Sequence, residues 1–208
     1  MSLWPWSDLI SYVMRYCKPT SNYFNVLELG CGAGANIPFF KKLGVNYYSI
    51  EGSPTIVSKV WKRFPDYKKN IKVGDFTKNI PFSVAFDLVV DRSSLTLNNA
   101  KDIGKAISLV FLKLKAGGKF IGIDWISTLH TDYSSGNAGG DQYTRDRIEE
   151  GQFANVGKVH FSDKQHILNM FSKFEIEILE HKSIKTEIPE KHTRAYWSFI
   201  AVKPKNKG

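Results

Sequence analysis

The most informative stretch of the sequence reads Val26-Leu27-Glu28-Leu29-Gly30-Cys31-Gly32-Ala33-Gly34. A short apolar run that ends in a turn signal is typical of a buried strand in a parallel sheet. Glycine at three alternate positions lets the backbone turn sharply and lets a ligand approach with no Cβ in the way. A helix after such a turn directs its unpaired N–H groups at the ligand. The stretch therefore predicts a strand, a ligand-binding turn and a helix, in that order.

Length and composition restrict the class of protein. The chain has 208 residues, enough for one domain with a substantial core, and a net charge of +9. Only six basic residues are arginine and the lysines are scattered, so the charge favours a solvated surface over a nucleic-acid footprint. No apolar run approaches the roughly 18–20 residues that span a bilayer, and the N-terminus does not resemble a secretory signal. With only Cys17 and Cys31 present, we expect no structural disulfide and a cytoplasmic location.

Strand-like and helix-like segments alternate from Tyr23 onward, which predicts an α/β domain with helices on both faces of a parallel sheet. Expected strands follow the first one at 45–50, 71–74, 85–90, 119–125, about 174–178 and 196–202. A hairpin-like connection of about residues 183–194 would join the last two.

Residues with capping chemistry predict where helices begin and end. Ser53, ahead of a proline, should cap one helix, and Asn98 or Asn99 the next long one. Gly117 would end that long helix in a left-handed conformation, and Ser162 would open a later helix through a capping box.

Two segments fall outside the alternating pattern. Residues 1–22 contain an amphipathic stretch, Ser7 to Tyr16, that predicts an extra N-terminal helix. Residues 127–160 form a long connection with a Ser/Gly-rich first half and a charged second half. Connections of this length inside a compact domain are usually functional lids or disordered segments. We expect a single domain over 1–208 in which both segments form a lid.

Three segments further along the chain accompany the glycine turn. They are Ile50-Glu51-Gly52-Ser53-Pro54, Gly74-Asp75-Phe76 and Phe86-Asp87-Leu88-Val89-Val90-Asp91-Arg92. Each falls at or just after the end of a predicted strand. With the acid-x-Gly-x-Gly-x-Gly pattern, this order resembles the class I S-adenosylmethionine-dependent methyltransferases. A nicotinamide or flavin dinucleotide fold is the competing interpretation, but its third glycine would stand at Ala35 instead of Gly34.

The resemblance implies the architecture and the cofactor. Its fold is a doubly wound, mostly parallel seven-stranded sheet with an antiparallel C-terminal strand. S-adenosylmethionine would be bound and S-adenosylhomocysteine released. The residues implied in binding it are Glu28, Gly30, Cys31, Gly32, Gly34, Glu51, Gly52, Asp75, Phe76, Asp91 and Arg92.

Individual roles follow from the same resemblance. The three glycines of the turn would hold the methionine end, with Glu28 supporting the amino group directly or through water. Glu51 would accept hydrogen bonds from the ribose hydroxyls, a role that acids at this spacing also take in NAD-binding folds. Asp75 would face the adenine amino group, although capping its own turn is an alternative, and Phe76 would face the ring.

The resemblance says less about the methyl acceptor. Candidate bases that would take a proton from it are Asp124, His130 and Asp91. Trp4, Trp6, Tyr12 and Tyr133 are candidate walls of an acceptor pocket. The five histidines show no metal-ligand spacing, so no metal is expected.

The sequence therefore predicts in-line methyl transfer to an oxygen or nitrogen of a small molecule, such as a metabolite or a sugar. RNA or protein methylation, motivated by the +9 charge, is an alternative. A cofactor-binding protein without transfer activity is another, because the fold alone does not establish catalysis.

Overall fold

A computed structural model describes residues 4–19, 21–189 and 191–205; the two ends of the expected domain, 1–3 and 206–208, lie outside it. The helices are α1 (Ser7–Tyr16), α2 (Ile37–Leu43), α3 (Pro54–Arg63), α4 (Ala100–Lys113) and α5 (Lys164–Met170). The strands are β1 (Asn25–Leu29), β2 (Asn46–Glu51), β3 (Ile71–Val73), β4 (Phe86–Arg92), β5 (Leu114–Ile126), β6 (Asn137–Ala138), β7 (Thr144–Asp146), β8 (Val159–His160), β9 (Glu175–Thr186) and β10 (His192–Val202). No helix among these residues is long and apolar enough to cross a membrane.

Seven strands form one sheet in the order β3-β2-β1-β4-β5-β10-β9. The first five strands are mutually parallel, and β10 runs antiparallel to both β5 and β9. This confirms the expected doubly wound, mostly parallel sheet. The order reverses between β1 and β4, and ligands bind at the carboxyl ends of strands beside such a switch point.

Each face of the sheet is covered by helices, as the alternation predicts. One face packs against α4, whose buried side includes Ile103 and Val110. The other face packs against α2, α3 and the predicted extra helix α1, which buries Leu9 and Val13. Because both faces are covered, the central strands read as nearly continuous apolar runs.

Helix capping differs from the sequence expectation at two places. Ser53 caps α3 as expected, with its side chain accepting from the Ile56 N–H, and Asn99 caps α4. The α4 helix ends at Lys113 and runs directly into β5, so Gly117 is not its cap. Asp163, not Ser162, caps α5, because the carboxylate reaches the His166 N–H.

The C-terminal hairpin is longer than the sequence predicts. Its strands pair from His192 opposite Thr186 to Val202 opposite Glu175, so only five residues connect them. The connection expected over about 183–194 is therefore wrong at both ends. Polar residues hide the pattern, because β9 is the edge strand of the sheet and its residues are exposed or half-buried.

Residues 127–160 are folded instead of forming an open loop. They contain a short 3₁₀ turn (Thr131–Ser134) and a three-stranded antiparallel sheet in the order β6-β7-β8. A separate apolar cluster, Ile126, Ile148, Val159 and Phe161, holds the segment against the domain. We call residues 127–160 the insertion.

Candidate active site

The glycine turn meets different neighbours at each of its glycines. All three have positive φ angles, 72° at Gly30, 51° at Gly32 and 78° at Gly34. A Cβ on Gly30 would lie 2.2 Å from the Ser94 Oγ, whereas one on Gly32 would meet nothing within 4 Å. Gly30 is therefore required by the turn that follows β4, and Gly32 is where the backbone remains open to a ligand.

Glu51, at the carboxyl end of β2, connects two backbone segments. One carboxylate oxygen accepts from the Gly32 N–H at 3.0 Å, and the other accepts from the Ser53 N–H at 3.0 Å. Each oxygen keeps a second lone pair for another donor. The arrangement fixes the carboxylate beside the glycine turn and leaves acceptor capacity for ligand hydroxyls.

A cavity of about 610 Å³ lies at the carboxyl ends of β1 to β4. It is lined by Gly30, Glu51, Gly52, Val73, Gly74, Asp75, Phe76, Ser94, Leu97 and Asn98. Five of the residues expected to bind the cofactor thus surround one cavity. We call it the cofactor cavity.

Asp75 lines that cavity and also caps its own turn. Its carboxylate accepts from the N–H and the hydroxyl of Thr77, and it forms an ion pair with Lys78. The hydrogen bond from the Thr77 hydroxyl, together with the nearby ammonium, holds the pKa of Asp75 below its usual value. The structure therefore shows the turn-capping role of Asp75, and the adenine-facing role stays a prediction for a carboxylate that lines the cavity.

Glu28 lies behind the turn. Its carboxylate is almost fully buried and accepts from the Asn36 side-chain amide at 2.7 Å and from the Tyr47 hydroxyl. Burial raises the pKa of Glu28, with these two donors opposing the shift. Asn36 in turn accepts from the Trp6 N–H at 3.3 Å, so Glu28 links the glycine turn to the start of α1.

Cys31 and Asp91 are both buried beside the turn. Burial raises the pKa of the Cys31 thiol to about 12, so it remains protonated. Asp91 is 0% exposed and accepts from the Ser94 and Leu95 N–H groups and from the Trp125 indole at 2.7 Å. Burial raises the pKa of Asp91 to about 7. Because Asp91 is fully buried and its Oδ1 accepts from two backbone N–H groups, its carboxylate orders the turn after β4 and does not line the cofactor cavity.

Arg92 and Asp124 meet at the carboxyl ends of β4 and β5. The guanidinium forms an ion pair with Asp124 and stacks 3.5 Å from the centre of the Trp6 ring. The Arg92 Nε is buried and has no hydrogen-bond partner among the described residues. Burial raises the pKa of Asp124, and the charge of Arg92 opposes the shift.

The backbone at these two strand ends is strained. Ser93 and Asp124 have φ angles of 59° and 54°, a region that non-glycine residues rarely adopt. The Ser93 hydroxyl donates to the Asp124 carbonyl and joins the two positions. Strained residues of this kind cluster at functional sites, because the surrounding structure must hold them in place.

A second cavity, of about 430 Å³, opens beside Asp124. It is lined by Asp8, Tyr12, Asp124, Glu180, His181, Lys182 and Ser198. Tyr12 is the one wall candidate from the sequence that lines it, and its hydroxyl donates to Glu180. Trp6 covers the adjoining Arg92, whereas Tyr133 packs in the insertion and Trp4 is 80% exposed. We call this the β5 cavity.

His130 lies outside both cavities, in the first turn of the insertion. Its Nδ1 accepts from the Asp132 N–H at 3.1 Å, and its Nε2 lies 3.3 Å from the Gln152 side-chain oxygen. Burial lowers the pKa of His130, so the ring is neutral near pH 7. The structure brings His130 together with Asp132 and His192, a cluster that the linear spacing of the histidines does not reveal.

Several residues of the site carry no motif in the sequence. Asn36 connects Glu28 to α1, Ser94 requires a glycine at position 30, and Glu180 reaches the β5 cavity from β9. Asn36 is only eight residues from Glu28, whereas Ser94 is 64 residues from Gly30. The strand order places Ser94 and Glu180 at the site.

Comparison with known proteins agrees with the geometry. Residues 27–122 match the model of the methyltransferase domain family. None of the curated proteins compared with the chain matches it significantly. That match, the cofactor cavity and the sheet order together identify residues 27–122 as a class I S-adenosylmethionine-dependent methyltransferase domain.

Solved structures of methyltransferases share the fold over nearly the whole chain. An S-adenosylmethionine-dependent methyltransferase from Methanosarcina mazei superposes with a TM-score of 0.71 at 17% identity, covering 98% of this chain and 100% of its own. The N-methyltransferase NodS from Bradyrhizobium japonicum has a TM-score of 0.57 at 17% identity, covering 95% and 96%. The cofactor-bound amino pentose methyltransferase CalS10 from Micromonospora echinaspora has a TM-score of 0.58 at 15% identity, covering 95% and 89%. At these identities the likeness concerns the fold.

Proposed function

We propose that the protein transfers the methyl group of S-adenosylmethionine to an amine or hydroxyl of a small, polar, sugar-like acceptor. The observation that carries the proposal is the β5 cavity. Three carboxylates line it, those of Asp8, Asp124 and Glu180, against a single lysine, Lys182. An excess of carboxylates favours an acceptor that presents ammonium or hydroxyl groups.

The turn after β4 connects residues of the two cavities. Ser94 lines the cofactor cavity, and Arg92, two residues earlier, forms the ion pair with Asp124 of the β5 cavity. Cofactor and acceptor would therefore meet across the strained turn after β4. Such an arrangement suits an in-line displacement, in which the protein mainly aligns the two reactants and excludes water.

Asp124 is the candidate base that faces a cavity. An attacking amine or hydroxyl forms its bond to the methyl carbon while the bond from that carbon to sulfur breaks. The nitrogen or oxygen then loses a proton, which the Asp124 carboxylate accepts. Because burial raises the pKa of Asp124, this carboxylate is a stronger base than an exposed aspartate.

The insertion would close over the bound acceptor. Its Asp141 carboxylate accepts from the Ala100 N–H at 3.0 Å, at the start of α4 and close to Asn98 of the cofactor cavity. One contact thus connects the insertion to the rim of the site. An element of this kind can order when both substrates are bound and so exclude water.

The experiment is methyl transfer from labelled S-adenosylmethionine to a panel of amino sugars, neutral sugars and simple amines. Asp124→Asn and Glu180→Gln are compared with Glu177→Gln, on the same strand β9 as Glu180 but paired with Lys119 outside the cavity. Removing a charged acceptor should cost about 1.5–3 kcal/mol, a loss of about 10–150-fold in kcat/KM. Glu177→Gln should retain wild-type activity.

Labelling of a cell extract, separated into RNA, protein and small-molecule fractions, tests the acceptor class independently. Label confined to the RNA or protein fraction would reject the small-molecule proposal. Cofactor binding with no label in any fraction would indicate a protein without transfer activity. Equal turnover of the Asp124→Asn and wild-type proteins would remove Asp124 as the base.

A further inference from the structure

A cluster of three metal-ligating side chains lies outside the two cavities. His130 and Asp132 come from the first turn of the insertion, and His192 is the first residue of β10. One ligand atom from each lies within 4.8 Å of the other two. His130 and Asp132 are each 2% exposed, so the donor atoms are withdrawn from bulk water.

The three ligand atoms of the cluster lie close to one another. Because the His130 Nδ1 accepts from the Asp132 N–H, it carries no proton, yet it lies 3.5 Å from the Asp132 Oδ1. The His192 Nε2 is 3.7 Å from the same oxygen, and it is buried with no hydrogen-bond partner among the described residues. Three electron-rich atoms brought this close are stabilised by a positive charge between them.

The surroundings orient these atoms as a metal site does. The other nitrogen of His130 contacts the Gln152 side-chain oxygen, which also accepts from the Tyr196 hydroxyl at 2.8 Å. A bond of this kind from the second imidazole nitrogen is usual for ligating histidines. The Asp132 Oδ2 accepts from the Phe153 N–H at 2.9 Å, which leaves Oδ1 directed at the two rings.

Glycine at position 151 makes room for the carboxylate. A Cβ there would lie 2.6 Å from the Asp132 Oδ1, and the residue has a φ angle of 90°. The backbone is therefore shaped closely around this oxygen.

We propose that His130, Asp132 and His192 bind a divalent transition-metal cation, with Zn²⁺ as the reference ion. Two imidazole nitrogens and one carboxylate oxygen form a donor set that Zn²⁺ uses with a fourth position open to water. With bonds of 2.0–2.1 Å, neighbouring ligand atoms of a tetrahedral ion lie about 3.3–3.5 Å apart. The separations of 3.5 and 3.7 Å from the Asp132 Oδ1 need only a small contraction, and the two imidazole nitrogens, within 4.8 Å of each other, would have to move together. Metal binding would replace the bond from the Asp132 N–H to the His130 ring.

The cation would tie the insertion to the sheet. His192 follows the connection of the C-terminal hairpin, and the Thr193 N–H already donates to the Thr131 hydroxyl at 2.8 Å. An ion beside this contact would fix the first turn of the insertion to β10.

The test is calorimetric titration of untagged, chelator-treated full-length protein with Zn²⁺. The wild type should bind one equivalent, and His192→Gln and Asp132→Asn should each weaken binding by at least about 100-fold, the upper range for loss of a supporting group. His181→Gln is the matched control, a histidine of the neighbouring strand β9 outside the cluster. It should bind like the wild type.

Two further measurements keep the result interpretable if a variant folds poorly. Zn²⁺ should raise the unfolding temperature of the wild type and of His181→Gln, but not that of His192→Gln. The absorption spectrum of the Co²⁺ form of the wild type should be that of an ion with nitrogen and oxygen ligands, without a thiolate charge-transfer band. A thiolate band would move the metal to Cys17 or Cys31 and overturn the proposal. Wild-type binding no tighter than that of His192→Gln, or equal loss in His181→Gln, would overturn it as well.

Discussion

Replacing Glu51 by glutamine tests the cofactor site most directly. The two carboxylate oxygens accept from the Gly32 and Ser53 N–H groups, each at 3.0 Å, while facing the cofactor cavity. Glutamine has one carbonyl oxygen and one NH₂ group. Either rotamer therefore points the NH₂ at one of the two backbone donors and leaves that N–H without its acceptor.

The expected magnitude follows from these contacts. Loss of the internal hydrogen bond should lower the free energy of unfolding by about 1 kcal/mol. Loss of the charged acceptor for the ribose should cost about 1.5–3 kcal/mol of binding, a rise of about 10–150-fold in the Kd of S-adenosylhomocysteine. Glu51→Ala removes both acceptor oxygens and should bind S-adenosylhomocysteine more weakly still.

Calorimetry with S-adenosylhomocysteine, alongside urea unfolding, measures both quantities. Asp66→Asn is the control, because it removes an exposed carboxylate that pairs with Lys41 on the surface. It should leave the Kd unchanged. If Glu51→Gln binds S-adenosylhomocysteine as tightly as the wild type, or if the wild type prefers NAD, the assignment of Glu51 is refuted.

Three other predictions concern the turn, the buried aspartate and the insertion. Gly30→Ala should lower the free energy of unfolding in urea more than Gly44→Ala does, and it should also weaken cofactor binding in calorimetry. Both glycines have positive φ angles, but only at Gly30 would a Cβ meet Ser94, at 2.2 Å. For Asp91, the pKa of about 7 in the folded protein lies above the usual unfolded value, so its stabilising effect is complete below about pH 4 and is lost as the pH rises towards 7. Measured by urea unfolding, the stability of the wild type relative to Asp91→Asn should therefore fall over that interval, by at most about 1.4 kcal/mol per pH unit. Limited proteolysis within 134–150 should be slower with S-adenosylhomocysteine and acceptor together than with either alone, and equal rates would refute closure of the insertion.

Much of the fold could be predicted because its signals are local. The glycine turn, the Ser53 cap and the period of each helix depend on residues within a few positions of one another. The spacing from Gly30 to Glu51 likewise follows from one strand-turn-helix-strand unit. Local chemistry determined these features, and the structure agrees with them.

The predictions failed where two local signals competed or where one side of an element faced water. Ser162 and Asp163 are both residue types that cap helices, and only the folded structure shows that Asp163 is the N-cap of α5. The strands of the C-terminal hairpin carry many polar residues, so their length did not show in the apolar pattern. The 127–160 segment contains turn residues throughout, yet a separate apolar cluster folds it into a small sheet.

What the sequence determined by itself is the class of the protein and the residues proposed to hold its cofactor, since these lie in one turn and at three successive strand ends. Only the tertiary structure decided which acids face a cavity. Asp91 and Asp124 each stand at the end of a predicted strand in the sequence. In the structure Asp91 is buried and accepts from three donors, whereas Asp124 lines a cavity. The same holds for His130 and His192, which are 62 residues apart and meet because β10 returns beside β5. Contacts between distant strands depend on how the whole sheet is ordered, and no short window of sequence contains that information.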